Sequence, residues 1–270
     1  MENKKKKPQS PRKSWPYLTG RPVDSRTPLA ALKFFLSSFA LMVAFLILGA
    51  MMMWNNMVLR VVTNLVLLFG AYTIYWQSGV TAGTEAVNLG EMLYTRQATG
   101  RDHDMSELPR AYHPAKGFLT GLIGSVPIFL CALALALTAQ RVLVGAGALP
   151  AWLDTLERRE EIGGALLSYH QSDPLVATDY LRLIVRVTIM PIVNIIGGGN
   201  KEGLLLAERL SPLLVLMPAL CYGVGYIGGV RVRTKIHEDI EAGKRKIRRR
   251  QKRERQQRAT QGNRGPGQLN

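Results

Sequence analysis

The sequence predicts an all-α, polytopic helical membrane protein: four transmembrane helices, one further helix that is interfacial or re-entrant, and basic cytoplasmic tails. Three observations predict it. Several apolar runs are long enough to cross about 30 Å of hydrocarbon as helix. Charge is concentrated at the two ends: Met1–Lys33 carries nine Lys or Arg against Glu2 and Asp24, and Arg231–Asn270 carries fourteen against four acidic residues. Of the formal net charge of +16, the stretch between those ends holds −1. Lys and Arg retain flanking segments on the cytoplasmic side of a membrane, so both termini are expected there.

The organisation that follows is a basic N-terminal tail (1–27), a helical membrane domain (28–231) and a basic C-terminal tail (232–270). The first span, about 28–54, is too long for a signal-peptide core, and no small-residue cleavage site follows it. The second, about 57–76, is joined to it through Asn55-Asn56, a link short enough to demand an antiparallel hairpin. Tyr72, Tyr75 and Trp76 then fall where an aromatic belt is expected at the inner interface. Arg60, one turn into this span, is placed to snorkel to the outer interface. A polar connection follows, whose first part (84–95) is able to continue the second helix before Gly100-Arg-Asp-His-Asp breaks it. The third span, about 117–139, contains Pro127 and is expected to kink there.

Residues 141–179 mix both signs of charge and do not cross; Trp152 and Leu156 suggest an amphipathic surface helix. The last span is about 211–230 and runs on into the basic tail, expected to continue as a solvated helix. No acidic residue lies within the four spans so bounded, which argues against a self-sufficient ion-coupled carrier.

One apolar run, 178–199, does not fit as a crossing. Five crossings would put the basic tails on opposite sides. The run also carries Arg182 and Arg186, Pro191 and a triple glycine. An arginine at the centre of a span costs about 2.5–3.5 kcal/mol on insertion scales, and an interfacial helix keeps it wet. The segment is therefore read as interfacial or re-entrant from the outer side.

Candidate functional residues follow from that frame. Arg182 and Arg186 lie four apart on one helical face and, with Asn194, are candidate contacts for an anionic lipid headgroup or substrate. Small residues recur every four positions, at Gly117, Gly121 and Ser125 and again at Cys221, Gly225 and Gly229. They are expected to pack the third and fourth spans against each other. Lys244, Arg245, Lys246, Arg248, Arg249 and Arg250 are candidate tail contacts for lipid or a partner. Cys131 and Cys221 read as small packing residues.

Asp102-His103-Asp104 with His113, and His170 with Asp173 and Asp179, have neither metal-ligand spacing nor a nucleophile beside them. Gly197-Gly-Gly-Asn-Lys201 resembles a phosphate-binding loop in composition only. No catalytic, cofactor or metal site is predicted. The function expected is that of an accessory or scaffold protein of a cell membrane, the bacterial inner membrane by its compact design. Its expected partners are anionic lipid, a membrane-protein complex or further copies of itself. A small permease or transporter subunit built on Arg182–Gly199 is the alternative, and an insertase-like or ribosome-docking role, with RNA as partner, the third.

Overall fold

A computed structural model describes residues 16–52, 54–100, 105–139, 177–197 and 200–262. Among these there is no strand. Six α-helices run in the order α1 (Thr27–Met51), α2 (Met57–Ala98), α3 (Lys116–Thr138), α4 (Ala177–Thr188), α5 (Met190–Ile196) and α6 (Lys201–Gly262), with a 3-10 helix at Met105–Arg110 before α3. Helices α1, α2, α3 and α6 are each long and apolar enough to cross a membrane. They carry exposed Leu36, Phe39, Val62, Phe69, Leu130 and Leu213.

Local chemistry sets the helix ends. Pro28 occupies the first turn of α1, where its missing N–H costs nothing. Asn56 caps α2, its side-chain oxygen accepting from Val58 N at 2.9 Å and Leu59 N at 3.4 Å. Pro127, Pro212 and Pro218 all lie inside α3 or α6 without ending them.

Two of these helices outrun their expected spans. Helix α2 is 42 residues long, about 63 Å at 1.5 Å per residue, and continues past Trp76 as one helix. Helix α6 is 62 residues long and begins at Lys201, ahead of the expected start at 211. Its far end carries the basic tail, and that end of the bundle is the basic end.

Helix α6 is the hub. It packs along α2 on one side and α3 on another, while α1 packs chiefly on α3. The two predicted stripes of small residues are both at interfaces, but they do not face each other. Gly117 and Gly121 of α3 lie against Tyr226 and Ala219 of α6. Gly225 and Gly229 of α6 instead meet α2, at the backbone of Trp76 and of Gly83-Thr84, while Gly79 and Gly83 of α2 meet the backbone of Tyr222 and Tyr226. The α2–α6 seam is thus glycine against glycine, the arrangement that lets two helix backbones touch. Four-residue spacing marks a face of a helix and says nothing of which neighbour that face meets. Cys221 packs beside Phe34, Tyr75 and Ala219, and Ser125 is buried with its hydroxyl donating to Gly121 O at 2.9 Å.

Helices α1 and α2, though directly joined, are splayed and not packed side by side. They touch through Phe34 and Tyr75, whose rings are 5.4 Å apart. Tyr75 is therefore a core residue (4% exposed) and not part of an interfacial belt, whereas Trp76 is half exposed.

Candidate functional site

Helices α4 and α5 form a broken element between the ends of the four long helices away from the basic end. The break is at Ile189, which leaves helical geometry (φ −103°, ψ 22°) just before Pro191. Pro191 has no N–H to continue the ladder, and the chain restarts with Ile192 and Val193 N–H groups on Ile189 O at 2.9 and 3.1 Å. Helix α4 enters along α3 and α6, with Val185 and Ile189 buried among Ile128, Ala132, Leu135 and Val215. Thr188 reaches Met42 of α1, and Gly197 returns to Arg60, near the start of α2.

Arg182 and Arg186 converge on one carboxylate that lies ahead of the expected fourth span. Glu208 of α6 is 2% exposed. Its Oε1 accepts from Arg182 Nε at 3.0 Å and from Arg186 Nε at 2.8 Å, with Arg186 Nη2 at 2.6 Å. Arg182 Nη1 also lies 3.3 Å from Asp179 Oδ1. Two guanidinium groups face two carboxylates, so the cluster is neutral. An isolated buried carboxylate would cost several kcal/mol, and two charge-assisted donors offset that cost. The result is a clamp between the broken segment and α6, with the donors nearest α6 already engaged.

Asn194 forms the second clamp. Its amide donates to Gly49 O of α1 at 3.0 Å and to Asn64 Oδ1 of α2 at 3.2 Å. Asn64, fully buried, in turn donates to Arg60 O at 2.8 Å. Gly49 O lies in the last turn of α1, where it accepts only a long capping bond from Met52 N at 3.3 Å, and Asn194 supplies a second donor. Gly197 has φ +81°, a conformation strained for any residue with a Cβ, and a Cβ there would meet Arg60 Nη2 at 2.9 Å. Arg60 therefore lies against the end of α5. Its Nε is buried without a partner among the described residues.

The basic end is held by a different set. Asp24 and Lys116 form an ion pair of 2.5 Å with side chains only 3% and 12% exposed. Lys116 Nζ also donates to Pro109 O and Arg110 O, both at 3.2 Å. Burial by itself would raise the Asp24 carboxyl. Hydrogen bonds from Lys116, Thr27 and the Arg26 N–H, with the Lys116 charge, outweigh it and hold Asp24 below its usual range. The preceding segment is docked: Leu18 N bonds Gly90 O at 3.2 Å, Gly20 N bonds Tyr112 O at 3.0 Å, and Tyr17 meets Tyr112 edge-on. Tyr112 stacks on Tyr226 with ring centroids 5.4 Å apart. Farther out, Glu91 of α2 meets Arg233 at 2.8 Å and His237 at 2.9 Å, and Asn88 accepts from Arg233 at 2.7 Å. Helix α2 thereby braces the first turns of α6 beyond the bundle.

Past that brace no other described helix packs on α6, and Lys244, Arg245, Lys246, Arg248, Arg249 and Arg250 are all exposed along it. Arg245 pairs with Glu241 at 3.5 Å and Arg250 with Glu254 at 3.1 Å, both solvent-exposed contacts of little energetic weight. His113 is a turn residue, its Nδ1 3.3 Å from Ala115 N. Residues 102–104 and 141–176, including His170 and Asp173 and the expected surface helix at Trp152 and Leu156, lie outside the described residues, as do Gly198 and Gly199.

Sequence reasoning missed Glu208, Asn64, Glu91 and the Gly79/Gly83 pair. The glycine pair has the same four-residue spacing as the stripes it did find. No protein-family model, curated protein or solved structure matches the chain.

Proposed function

We propose that this is a membrane protein of four crossings, with both basic ends in the cytoplasm and α4–α5 re-entering the bilayer from the outer side. Its role is that of an accessory or scaffold protein: a helical anchor that holds a basic stalk out toward a partner complex. The observation that carries the reading is the continuity of α6, one helix of 62 residues running from inside the bundle through the basic tail. From Arg231 to Lys244 the helix advances about 20 Å. That exceeds the Debye length of about 10 Å at 0.1 M salt, beyond which exposed charges scarcely sense one another. Only the first basic turns sit where anionic headgroups attract them, at about 1 kcal/mol per residue. The six farther residues are presented to a macromolecular partner.

The test is co-migration in native membranes solubilised with mild detergent. The wild type should run as a larger complex. A variant with Lys244, Arg245, Lys246, Arg248, Arg249 and Arg250 changed to Gln should run alone. A wild type that repeatedly runs alone sinks the reading. Sidedness is tested with a single cysteine at exposed Lys201 in a version lacking Cys131 and Cys221; labelling from outside supports four crossings. Gly203 is a poor site for that cysteine, since its Cβ would lie 2.8 Å from Asn200 Nδ2 and Ile196 Cγ2.

The second reading, a permease or transporter subunit, is favoured by the broken segment lying over an internal crevice. The Arg182–Arg186–Asp179–Glu208 cluster, whose charges balance among the described residues, weighs against it, because an anion would have to displace Glu208. Loss of solute flux in Arg186→Ala at unchanged expression would put it first.

A further inference from the structure

We infer that the crevice between α1 and α2 holds the tail end of one acyl chain of a bilayer phospholipid. The inference rests on the four long helices lying in a membrane. The crevice follows from the splay of α1 and α2. Its side walls are Leu41, Met42 and Phe45 of α1 and Leu68, Ala71 and Tyr72 of α2. Its back is Ile128 of α3 with Leu214 and Val215 of α6. The break at Thr188-Ile189 closes one end, and the Phe34–Tyr75 contact closes the other. Its free volume is about 50 Å³, a narrow slot between the two helices.

Three features select the occupant. First, the lining is hydrocarbon apart from a few hydroxyls, most of them engaged: Ser38 on Phe34 O at 3.0 Å, Ser125 on Gly121 O at 2.9 Å and Thr188 on Ile184 O at 2.8 Å, with Tyr75 bonded to Ser38 and the Tyr72 phenol the remaining polar group. No charged side chain lines the space to hold a headgroup or an ionic solute. Second, the mouth is continuous with lipid-facing surface. Half-buried Met42 and Tyr72 of the walls each lie one helical turn from Phe39 and Phe69, which are 50% and 71% exposed. Third, the walls run for about 10 Å of helix axis between Leu68 and Tyr75, long enough for the end of a chain and too short for a whole lipid. An empty apolar space of this kind forfeits dispersion contacts along its whole lining, and a methylene chain restores them.

The experiment uses the full chain in phospholipid vesicles doped with a phosphatidylcholine bearing a diazirine near the end of one acyl chain. Adducts are mapped by residue after irradiation. Adducts at Met42, Leu68 and Ala71, beside those at outward Phe39 and Phe69, are expected. Ala71→Leu should remove the inner adducts and spare the outer ones. Leu68→Ala, which widens the mouth, should increase the inner ones, and it decides the matter if Ala71→Leu fails to fold. Outer adducts without inner ones overturn the inference. Inner adducts erased by excess free palmitic acid, with the phospholipid concentration unchanged, assign the crevice to a free fatty acid and overturn it too. Absence of adducts on any helix sinks the membrane reading itself.

Discussion

Asn194 and Asn64 share a hydrogen bond of 3.2 Å across 130 residues of sequence, and through it the broken segment is fastened to α2. The same Asn194 amide holds α1 by its Gly49 carbonyl. Two helices that do not pack on each other are thus tied at one end by a third element, and the crevice between them is left open below the tie.

The first prediction concerns that tie. A double-mutant cycle of Asn194→Ala and Asn64→Ala, read by unfolding in mixed micelles, should give a coupling of about 0.6 kcal/mol, with about 1.7 as the ceiling for such bonds in membranes. Asn194→Leu should cost more than Asn194→Ala, because it also leaves Gly49 O and Asn64 facing an apolar group. Additive single mutants would show that the bond does not form.

The Glu208 clamp predicts a second, asymmetric result. Glu208→Ala leaves two guanidinium groups without their shared acceptor and should destabilise by about 3–5 kcal/mol. Glu208→Gln keeps an acceptor and should cost less. Replacing Arg182, Arg186 and Glu208 together by leucine should come close to wild-type stability, since a buried ionic group is often neutral to replace as a unit. Arg186, with a side chain 34% exposed, should matter less alone than Arg182 at 16%. Thermal unfolding of the five variants measures the order.

Why these clamps were hard to read in the sequence is physical. The four long helices were legible because a run of about twenty apolar residues has few other uses. Glu208 was not, because Lys201–Leu210 contains Glu202, Glu208 and Arg209 and resembles a polar loop until its charges find partners. Those partners lie 22 and 26 residues earlier, on an element whose fold depends on the same contact. Arg182 and Arg186 were legible as a pair, from their spacing, but their engagement with Glu208 was not. The continuation of α2 toward Gly100 was legible over 84–95, but the packing role of Gly79, Gly83 and Gly90 was not, because glycines ordinarily weaken an isolated helix. Here they admit the backbone of Tyr222, Tyr226 and Leu18. Tyr75 was assigned to an interfacial belt from its place beside Trp76, though its position along α2 turns it inward to Phe34.

The glycine seam gives the third prediction. A Cβ at Gly229 would lie 2.5 Å from Gly83 C and Thr84 N, backbone atoms that cannot step aside. Gly229→Leu should therefore separate α2 from α6 and abolish a monodisperse detergent-solubilised species. Gly243, with nothing within 4 Å, is the control. Gly243→Ala should leave the bundle intact and favour the stalk helix by about 1 kcal/mol. Size-exclusion chromatography separates the two outcomes, and circular dichroism reads the second.

The ion pair at the basic end makes stability depend on acid. Asp24 has a folded-state pKa held below the ordinary carboxylate value of 3.8 by Lys116, Thr27 and the Arg26 N–H. Above 3.8 the carboxylate is charged in both states and the Lys116 pair contributes in full. As pH falls through 3.8 the unfolded chain takes up its proton first, and the contribution drains away until the folded pKa is passed. Unfolding followed over that acid range should show wild-type stability falling. Asp24→Asn should be less stable at neutral pH, because Lys116 loses its counter-charge, and should lack this component of the acid decline. A variant that declines as steeply as the wild type would place the acid sensitivity elsewhere and make Asp24 a bystander to the docking of the N-terminal segment.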